Sequence, residues 1–338
     1  MKKNEVIFYF PTKSKSSPSH NRLNSFFNVL EERGFNLHQR IAPRSIIDIK
    51  REYSFCHKQS TKAIIVYSGP PFIANITLLL LNRRYINILD IRDGWSIAIK
   101  TGYGNTIKPN RLKALIIQML EIIAIKNSKL CVAATPGLST YLNRISGHNV
   151  PVVFNGYINN NRSLNKENNL YNKRKKKDIK FVCCGKFSEY GKDKVIAILN
   201  KMSNNFAVYF KISLSLIGSD KDRNAWIKDY VNNNKLPIEI FFLSPIEVTE
   251  VPVALLEYDC GISVIRDPSY DFGTKVFDYI AAGIPVLNYF VEANNFTRFF
   301  GGYLVEDAER LLTYRPPDCS DFSRDTQAKI FGDLVENE

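Results

Sequence analysis

The chain has 338 residues, of which 45% are apolar and 23% are charged, and its formal net charge is +13. That length suits two domains with separate cores. The six cysteines form no Cys-x-x-Cys pair, and the four histidines show no metal-ligand spacing with them, so we expect reduced core thiols and no metal. Pro11 ends the early apolar run too soon for a signal peptide, and Gly69-Pro70-Pro71 divides the longest uncharged stretch. We therefore expect a cytoplasmic protein without a transmembrane segment.

The positive charge is confined to the first half. Residues 1–150 contain 22 lysines and arginines against 8 acidic residues, a net charge of +14, whereas the remainder contains 24 against 25, a net charge of −1. This asymmetry predicts that the first half faces something anionic, such as nucleic acid, a phosphate-bearing acceptor or a cytoplasmic membrane surface. A basic surface that only aids solubility is the alternative.

Strands and helices are predicted to alternate through the first half. Val6 to Phe10 predicts a strand, and a helix with apolar residues from Phe26 to Leu30 ends at Gly34. Ala63 to Tyr67 predicts a buried strand, followed by a helix from Phe72 to Leu81. No Gly-x-Gly-x-x-Gly fingerprint follows the first strand, which argues against a nicotinamide-linked dehydrogenase.

Polar residues gather where two of these strands end. The strand from Tyr85 to Ile91 brings Asp90 and Asp93 to its carboxyl end, the edge of a parallel sheet at which ligands bind. This segment (DIRDGWS) and the earlier SGPP are similar to strand ends that face the interdomain cleft in bacterial surface-polysaccharide glycosyltransferases. The similarity implies that Asp90 or Asp93 orients or deprotonates an acceptor hydroxyl. The predicted acceptor-side residues are Gly69, Pro70, Arg92 and Trp95.

Structural roles stay open for this region. Asp90 and Arg92 would also form a structural ion pair, and Trp95 would also serve packing alone. Lys108 to Lys126 predicts an amphipathic helix. Its pattern fits a core helix of a doubly wound fold, which we favour, and also a helix that lies on an anionic bilayer.

The composition changes between Ile158 and Lys180 to Asn, Lys, Arg and Ser, which predicts a linker or surface loop. Its basic run, Lys173 to Lys177, has no aromatic interleaving, so we expect no nucleic-acid partner. The predicted boundaries are an acceptor domain at 1–157, the linker at 158–180, a donor domain at 181–315 and a C-terminal crossover helix at 316–338.

The second α/β unit begins with a strand from Lys180 to Cys184 and a turn that contains Gly185, Lys186 and Tyr190. The turn resembles that of the retaining glycosyltransferase family 4, which has the GT-B fold. There a Gly-Arg pair and a later Lys-Gly pair hold the donor pyrophosphate. Gly185 and Lys186 match the first pair, whereas Tyr190 occupies the Lys position, so Lys192 or Lys194 would substitute. A plain exposed lysine is the alternative for Lys186.

The stretch from Ser269 to Asn288 predicts a loop, a helix, a turn and a strand. Gly273 ends the loop, and Thr274 stands at the position of a helix N-cap. The free N–H groups of a helix N-terminus favour an anion, here a phosphate, to which Thr274 and Lys275 would add a hydroxyl and a charge. Asp278, one turn on, would accept hydrogen bonds from sugar hydroxyls.

The same stretch resembles the donor-binding motif of family 4, in which a Glu is followed after seven residues by a second Glu and a helix ending in Gly-x-Pro-Val. FDYIAAGIPVL matches the second half, with Asp278 at the second acidic position. Tyr270 occupies the first position, and the adjacent Asp271 is the candidate catalytic carboxylate. An ordinary loop-helix-strand corner is the alternative.

The resemblance implies a GT-B protein with two Rossmann-like domains that face a cleft, and a final helix, Ser323 to Val335, that crosses back to the first domain. It implies retaining, metal-independent transfer from a UDP- or GDP-sugar to a saccharide or polyprenyl-diphosphate-linked acceptor, with no cofactor. A basic first domain fits an anionic inner membrane surface. A catalytically silent nucleotide-sugar-binding partner of another transferase is the alternative.

Overall fold

The computed structural model describes residues 5–13, 17–60, 62–104, 106–158 and 177–338. The chain forms two compact units, one comprising Met1–Tyr103, Lys108–Gly156 and Asp321–Glu338, and the other Gly104–Ile107 and Tyr157–Ser320. Most of the predicted linker, including most of its basic run, lies outside the described residues.

The first unit is built on five parallel strands in the order β2-β1-β3-β4-β5. The strands are β1 (Glu5–Phe10), β2 (Asn36–Ile41), β3 (Ile64–Ser68), β4 (Ile86–Ile91) and β5 (Leu130–Ala133). The apolar strands β1 and β3 are buried along nearly their whole length, as expected for a parallel sheet covered on both faces. The connections of β1 and β3 run to opposite sides of the sheet, so a crevice opens between their carboxyl ends.

Seven helices described in the first unit surround this sheet. They are α1 (Pro18–Glu32), α2 (Ile46–Cys56), α3 (Phe72–Leu81), α4 (Trp95–Thr101), α5 (Arg111–Lys126), α6 (Pro136–Ser146) and, at the end of the chain, α14 (Arg324–Glu336). Helix α14 packs on α1, where the rings of Phe26 and Phe331 stack with centroids 4.1 Å apart. The Phe154 N–H also donates to Gln327 Oε1 at 2.7 Å. The predicted return of the last helix to the first domain is confirmed.

The second unit repeats the architecture with the order β10-β9-β6-β7-β8, again parallel. The strands are β6 (Asp178–Cys184), β7 (Lys211–Ile217), β8 (Ile238–Leu243), β9 (Cys260–Ser263) and β10 (Val286–Asn288). The helices are α7 (Lys192–Asn205), α8 (Lys221–Asn224), α9 (Trp226–Asn233), α10 (Val251–Ala254), α11 (Lys275–Ala281), α12 (Asn295–Phe300) and α13 (Ala308–Thr313). The direction of connection reverses here between β6 and β9, which opens the second crevice.

Helix α11 is held close to β9 by a small residue. A Cβ on Gly261 would lie 2.3 Å from the Tyr279 ring, so only glycine lets the buried tyrosine pass over the strand. The Tyr279 hydroxyl accepts a hydrogen bond from the Cys184 N–H at 3.2 Å. This packing fixes where α11 begins relative to the end of β6.

Candidate functional site

The β6/β9 crevice lies between the loop that follows β6 (185–191) and the loop that follows β9 (264–274). Gly185 opens the first loop with a φ of +71°, and a Cβ on it would meet only Lys275 Cε, at 3.9 Å. Gly273 ends the second loop with a φ of +66°. Both residues occupy left-handed backbone that favours glycine, and Gly185 leaves its side of the crevice open to the close approach of a ligand.

Lys275 bridges the two loops. Its Nζ donates to the Lys186 carbonyl and lies 3.4 Å from Cys183 Sγ. The side chain of Lys186 itself is exposed. The first residue of α11 thus places an ammonium group against the turn after β6, and the predicted Lys186 and Lys275 are brought together.

Tyr190, at the position of the family's Lys, is not itself a cation, but its ring contacts two cations. Arg266 Cζ lies 5.0 Å from the centre of the Tyr190 ring, and Lys275 Nζ lies 5.8 Å from it. Burial raises the pKa of Tyr190, while the Arg266 charge works against that shift, so the phenol stays neutral at ordinary pH. The aromatic face attracts both cations and keeps them beside the crevice.

The two lysines expected to replace the missing cation are engaged elsewhere. Lys192 Nζ lies over the Trp226 ring, 5.1 Å from its centre. Lys194 is buried, and its Nζ donates to the carbonyls of Ile265 at 3.2 Å and Arg266 at 2.7 Å. Lys194 therefore supports the loop that carries Arg266. Because both lysines have other partners, Arg266 is the better candidate for the cation that the family's Lys provides.

The loop after β9 is shaped by hydrogen bonds among its own residues. Asp271 Oδ1 accepts from the Gly273 N–H at 2.7 Å, and the Asp267 carbonyl accepts from the N–H groups of Tyr270 at 3.2 Å and Asp271 at 2.8 Å. These bonds give Asp271 a loop-forming role, whatever contact it makes with a substrate.

Thr274 stands at the N-cap position of α11, but its backbone is helical, with φ −102° and ψ −29°, and its side chain makes no capping bond. A side-chain oxygen caps a helix from extended backbone, so the expected side-chain cap is absent. Asp278 lies in the first turn of α11 and is partly exposed.

The β1/β3 crevice of the first unit contains a buried ion pair. Arg22 Nη2 lies 2.8 Å from Asp90 Oδ1, and Ser68 Oγ donates to Asp90 Oδ2 at 2.7 Å. Burial opposes ionisation of Asp90, but the charge and hydrogen bonds of Arg22 hold its pKa below the usual range. The structural ion pair considered for Asp90 forms with Arg22 and not with Arg92. Because the Asp90 side chain is fully buried and its oxygens are occupied, the geometry favours the structural alternative over a catalytic role.

Arg92 and Gly69 define the mouth of this crevice. Arg92 Nη1 donates to Ser19 Oγ. Gly69 has a φ of +61°, which favours glycine, and a Cβ there would lie 2.4 Å from Arg92 Nη2, so glycine lets the guanidinium lie against the backbone. Pro70 follows, joined to Pro71 by a cis peptide bond.

Asp93 is the exposed carboxylate at the end of β4. Its Oδ1 accepts from the Tyr103 hydroxyl at 2.6 Å, and the rest of the group is open to solvent. Of the two aspartates predicted here, Asp93 alone is exposed to solvent.

Trp95, which begins α4, stacks on Phe72 with ring centroids 4.9 Å apart. It lines a cavity together with Gly69, Asp90 and Glu121. Glu121 is buried and accepts from the N–H groups of Trp95 at 2.7 Å and Ser96 at 3.1 Å. Burial raises the pKa of Glu121, while the bonds from Ser96 and Trp95 work against that shift. Glu121 thus holds the start of α4 in place, and with it Trp95 and the preceding turn that contains Asp93.

Known proteins resemble this chain in structure and not in sequence. No protein-family model and no curated protein matches the sequence. HepE of Anabaena, solved with UDP and glucose, is 10% identical over 99% of this chain and 100% of its own, with a TM-score of 0.63. Sucrose-phosphate synthase of Thermosynechococcus elongatus is 12% identical over 99% of both chains, with a TM-score of 0.61. A candidate UDP-N-acetylglucosamine 2-epimerase of Listeria monocytogenes is 9% identical over 100% of this chain and 96% of its own, with a TM-score of 0.53.

The chain has the GT-B fold. The prediction of two parallel α/β domains is thereby confirmed, and each GT-B half carries its own crevice. At these identities the likeness concerns the fold alone.

Three residues of the GT-B crevices were missed from the sequence: Arg22, Glu121 and Arg266. Arg266 had one usable signal, since it is a cation directly after a buried strand. Arg22 and Glu121 lie on helices, and nothing in their local pattern marks them as partners of strand-end groups.

The described part of this GT-B chain contains no group of three or more His, Cys, Asp or Glu residues arranged to hold a metal ion. None of its described helices is both long and apolar enough to cross a bilayer.

Proposed function

We propose that the protein is a glycosyltransferase that moves a sugar from a UDP- or GDP-sugar to a saccharide or polyprenyl-diphosphate-linked saccharide in surface-polysaccharide synthesis. The observation that carries this proposal is the set of cations at the β6/β9 crevice: Lys186, Arg266 and Lys275. The structure of HepE with UDP and glucose supports a nucleotide as the occupant.

The cations suit the charge that develops during transfer. When the bond between the sugar and the diphosphate breaks, the departing nucleotide gains negative charge, and fixed cations stabilise it more than they stabilise the intact donor. Arg266 is already held over the Tyr190 ring and Lys275 against the Lys186 carbonyl, so both cations lie beside the crevice before a ligand arrives. Gly185 allows the diphosphate to approach the backbone, and Asp278 accepts from ribose hydroxyls.

The proposed reaction retains the configuration of the sugar, as the family 4 resemblance implies. The acceptor hydroxyl attacks C1 from the face that the diphosphate leaves, forming the new C–O bond as the old one breaks, and the departing phosphate oxygen takes the proton. Tyr270 in place of the family's Glu alters the contact with the donor sugar. The cations supply the neutralisation that a metal ion provides in other transferases.

Asp93 is the proposed acceptor-binding carboxylate. Its exposed Oδ2 orients the incoming hydroxyl, and the Tyr103 hydroxyl holds the other oxygen. Arg92 precedes it at the end of β4, and Trp95 follows it at the start of α4.

The decisive experiment is a thermal unfolding scan with UDP, GDP and their sugars, followed by product analysis. We expect one diphosphate to raise the Tm, and Lys275→Met to weaken its affinity about tenfold or more, because a hydrogen bond to a charged group contributes about 1.5–3 kcal/mol. Lys211→Met is the matched control, since this exposed lysine lies at the amino end of β7, whereas the crevice opens at the carboxyl ends of the strands.

Each outcome separates the alternatives. Transfer to an acceptor supports the proposal, whereas an epimerised sugar nucleotide points to the activity named for the Listeria structure. Protection without any turnover supports the catalytically silent partner. If no UDP- or GDP-sugar protects the protein, the nucleotide assignment is wrong.

A further inference from the structure

Helix α5 exposes an apolar stripe that nothing in the described chain covers. Five side chains at helical spacing form it and are between 39% and 72% exposed. The stripe consists of Leu112, Leu115, Ile116, Met119 and Ile123. At 100° per residue these positions fall within an arc of about 100°, so they share one face of the helix.

The opposite face of α5 is also apolar, and it is buried. Ala114, Ile117, Ala124 and Ile125 are buried there beside Glu121. A helix that is apolar all round is normally covered all round. One face of α5 is thus part of the core, as favoured from the sequence, and the other face is covered by nothing in the described chain.

The charges at the edge of the stripe have one sign. Arg111, Lys113 and Lys126 are exposed at the edges and end of α5. The only carboxylate of the helix, Glu121, is turned inward, where it accepts from the N–H groups of Trp95 and Ser96. An apolar stripe with a cationic edge and no exposed acid is typical of a helix that lies in the interface of an anionic bilayer.

We propose that α5 docks this protein on a membrane that contains anionic lipids, with the stripe in the acyl boundary and Arg111, Lys113 and Lys126 among the headgroups. A second copy of the chain fits less well, because two such faces packed together would bring their cations into contact. The proposal does not depend on transferase activity.

Cosedimentation of the full chain with vesicles tests it, using phosphatidylcholine alone and phosphatidylcholine mixed with phosphatidylglycerol. We expect binding to the mixed vesicles only, weakening as salt is added. Met119→Glu should lower the partition coefficient about tenfold or more, and Lys113→Gln should lower it about fivefold.

Val208→Glu is the matched control, because Val208 is an apolar residue of the second unit with 77% exposure, and binding should not change. Equal losses for Met119→Glu and Val208→Glu, or no wild-type binding at low salt, would overturn the proposal. So would sedimentation velocity that shows a lipid-free dimer broken by Met119→Glu. Protection by UDP or GDP should be the same in Met119→Glu, which keeps this test separate from that of the donor site.

Discussion

The two crevices of this GT-B chain arise from the same kind of reversal in strand order, one in each sheet, but their charged groups are arranged differently. In the β1/β3 crevice, Arg22 and Asp90 neutralise each other out of contact with solvent. In the β6/β9 crevice, Arg266 and Lys275 are held on the Tyr190 ring and by a backbone carbonyl. The fold supplies the location, whereas the side chains decide whether its charge is paired inside the protein or, as we propose for the β6/β9 crevice, serves to bind a ligand.

The largest effect on stability is expected in the β1/β3 crevice, where the charges of Arg22 and Asp90 are paired inside the protein. Asp90→Asn leaves the Arg22 guanidinium buried without a counterion, and the free energy of unfolding should fall by about 3–5 kcal/mol in urea titrations. Asp333→Asn breaks an exposed pair with Arg33 and should cost less than about 1 kcal/mol.

Acid should reproduce part of this loss. Because the pKa of Asp90 is lowered in the folded state, its contribution is complete above the unfolded pKa, near about 3.9, and is lost as the pH falls through the folded value. If Asp90→Asn costs no more than Asp333→Asn, the pair is not the structural element that its burial indicates.

Substitutions in the β6/β9 crevice, where we propose that cations bind the nucleotide, should change stability less but should clearly weaken nucleotide binding. Arg266→Met should lower nucleotide affinity by a factor of about ten to one hundred in isothermal titration, because a charge-assisted bond contributes about 1.5–3 kcal/mol. Arg315→Met removes an exposed arginine outside both loops of the crevice and should leave affinity unchanged. Equal affinities for the two variants would remove Arg266 from the site.

The smallest effect tests the exposed acid of the first crevice. Asp93→Asn should slow transfer about tenfold, close to the lower end of the energy of one charged hydrogen bond, while nucleotide affinity and Tm stay unchanged. Tyr103→Phe should show a lesser loss of the same kind, since it removes only the bond to Oδ1. A drop in nucleotide affinity would contradict the assignment of Asp93 to the acceptor.

Much of the fold is readable from local patterns. Strands such as β1 and β3 are continuous apolar runs because both of their faces are buried, and Gly34 and Gly283 end helices at left-handed positions. Helix α2 was not predicted, although Ser45 caps it by accepting from the Asp48 N–H. Its first two residues, Ile46 and Ile47, are more than 70% exposed, so apolar periodicity does not mark its buried face.

Only part of the candidate site could be predicted, because several of its contacts join residues that lie far apart in the sequence. Gly185, Lys186 and Lys275 belong to short motifs and were found. Arg22 meets Asp90 across 68 residues, and Arg266 meets Tyr190 across the boundary of two adjacent parallel strands. Such pairs follow from strand order and not from spacing in the sequence.

The bond from Lys275 to the Lys186 carbonyl has a consequence for turnover. An incoming phosphate must take the ammonium from an acceptor that it already has, so binding exchanges one partner for another instead of satisfying an empty cation. The net gain is smaller than a free lysine would provide. In the proposed reaction the same carbonyl would take the ammonium back when the nucleotide departs, which would favour quick release of the product over tight binding.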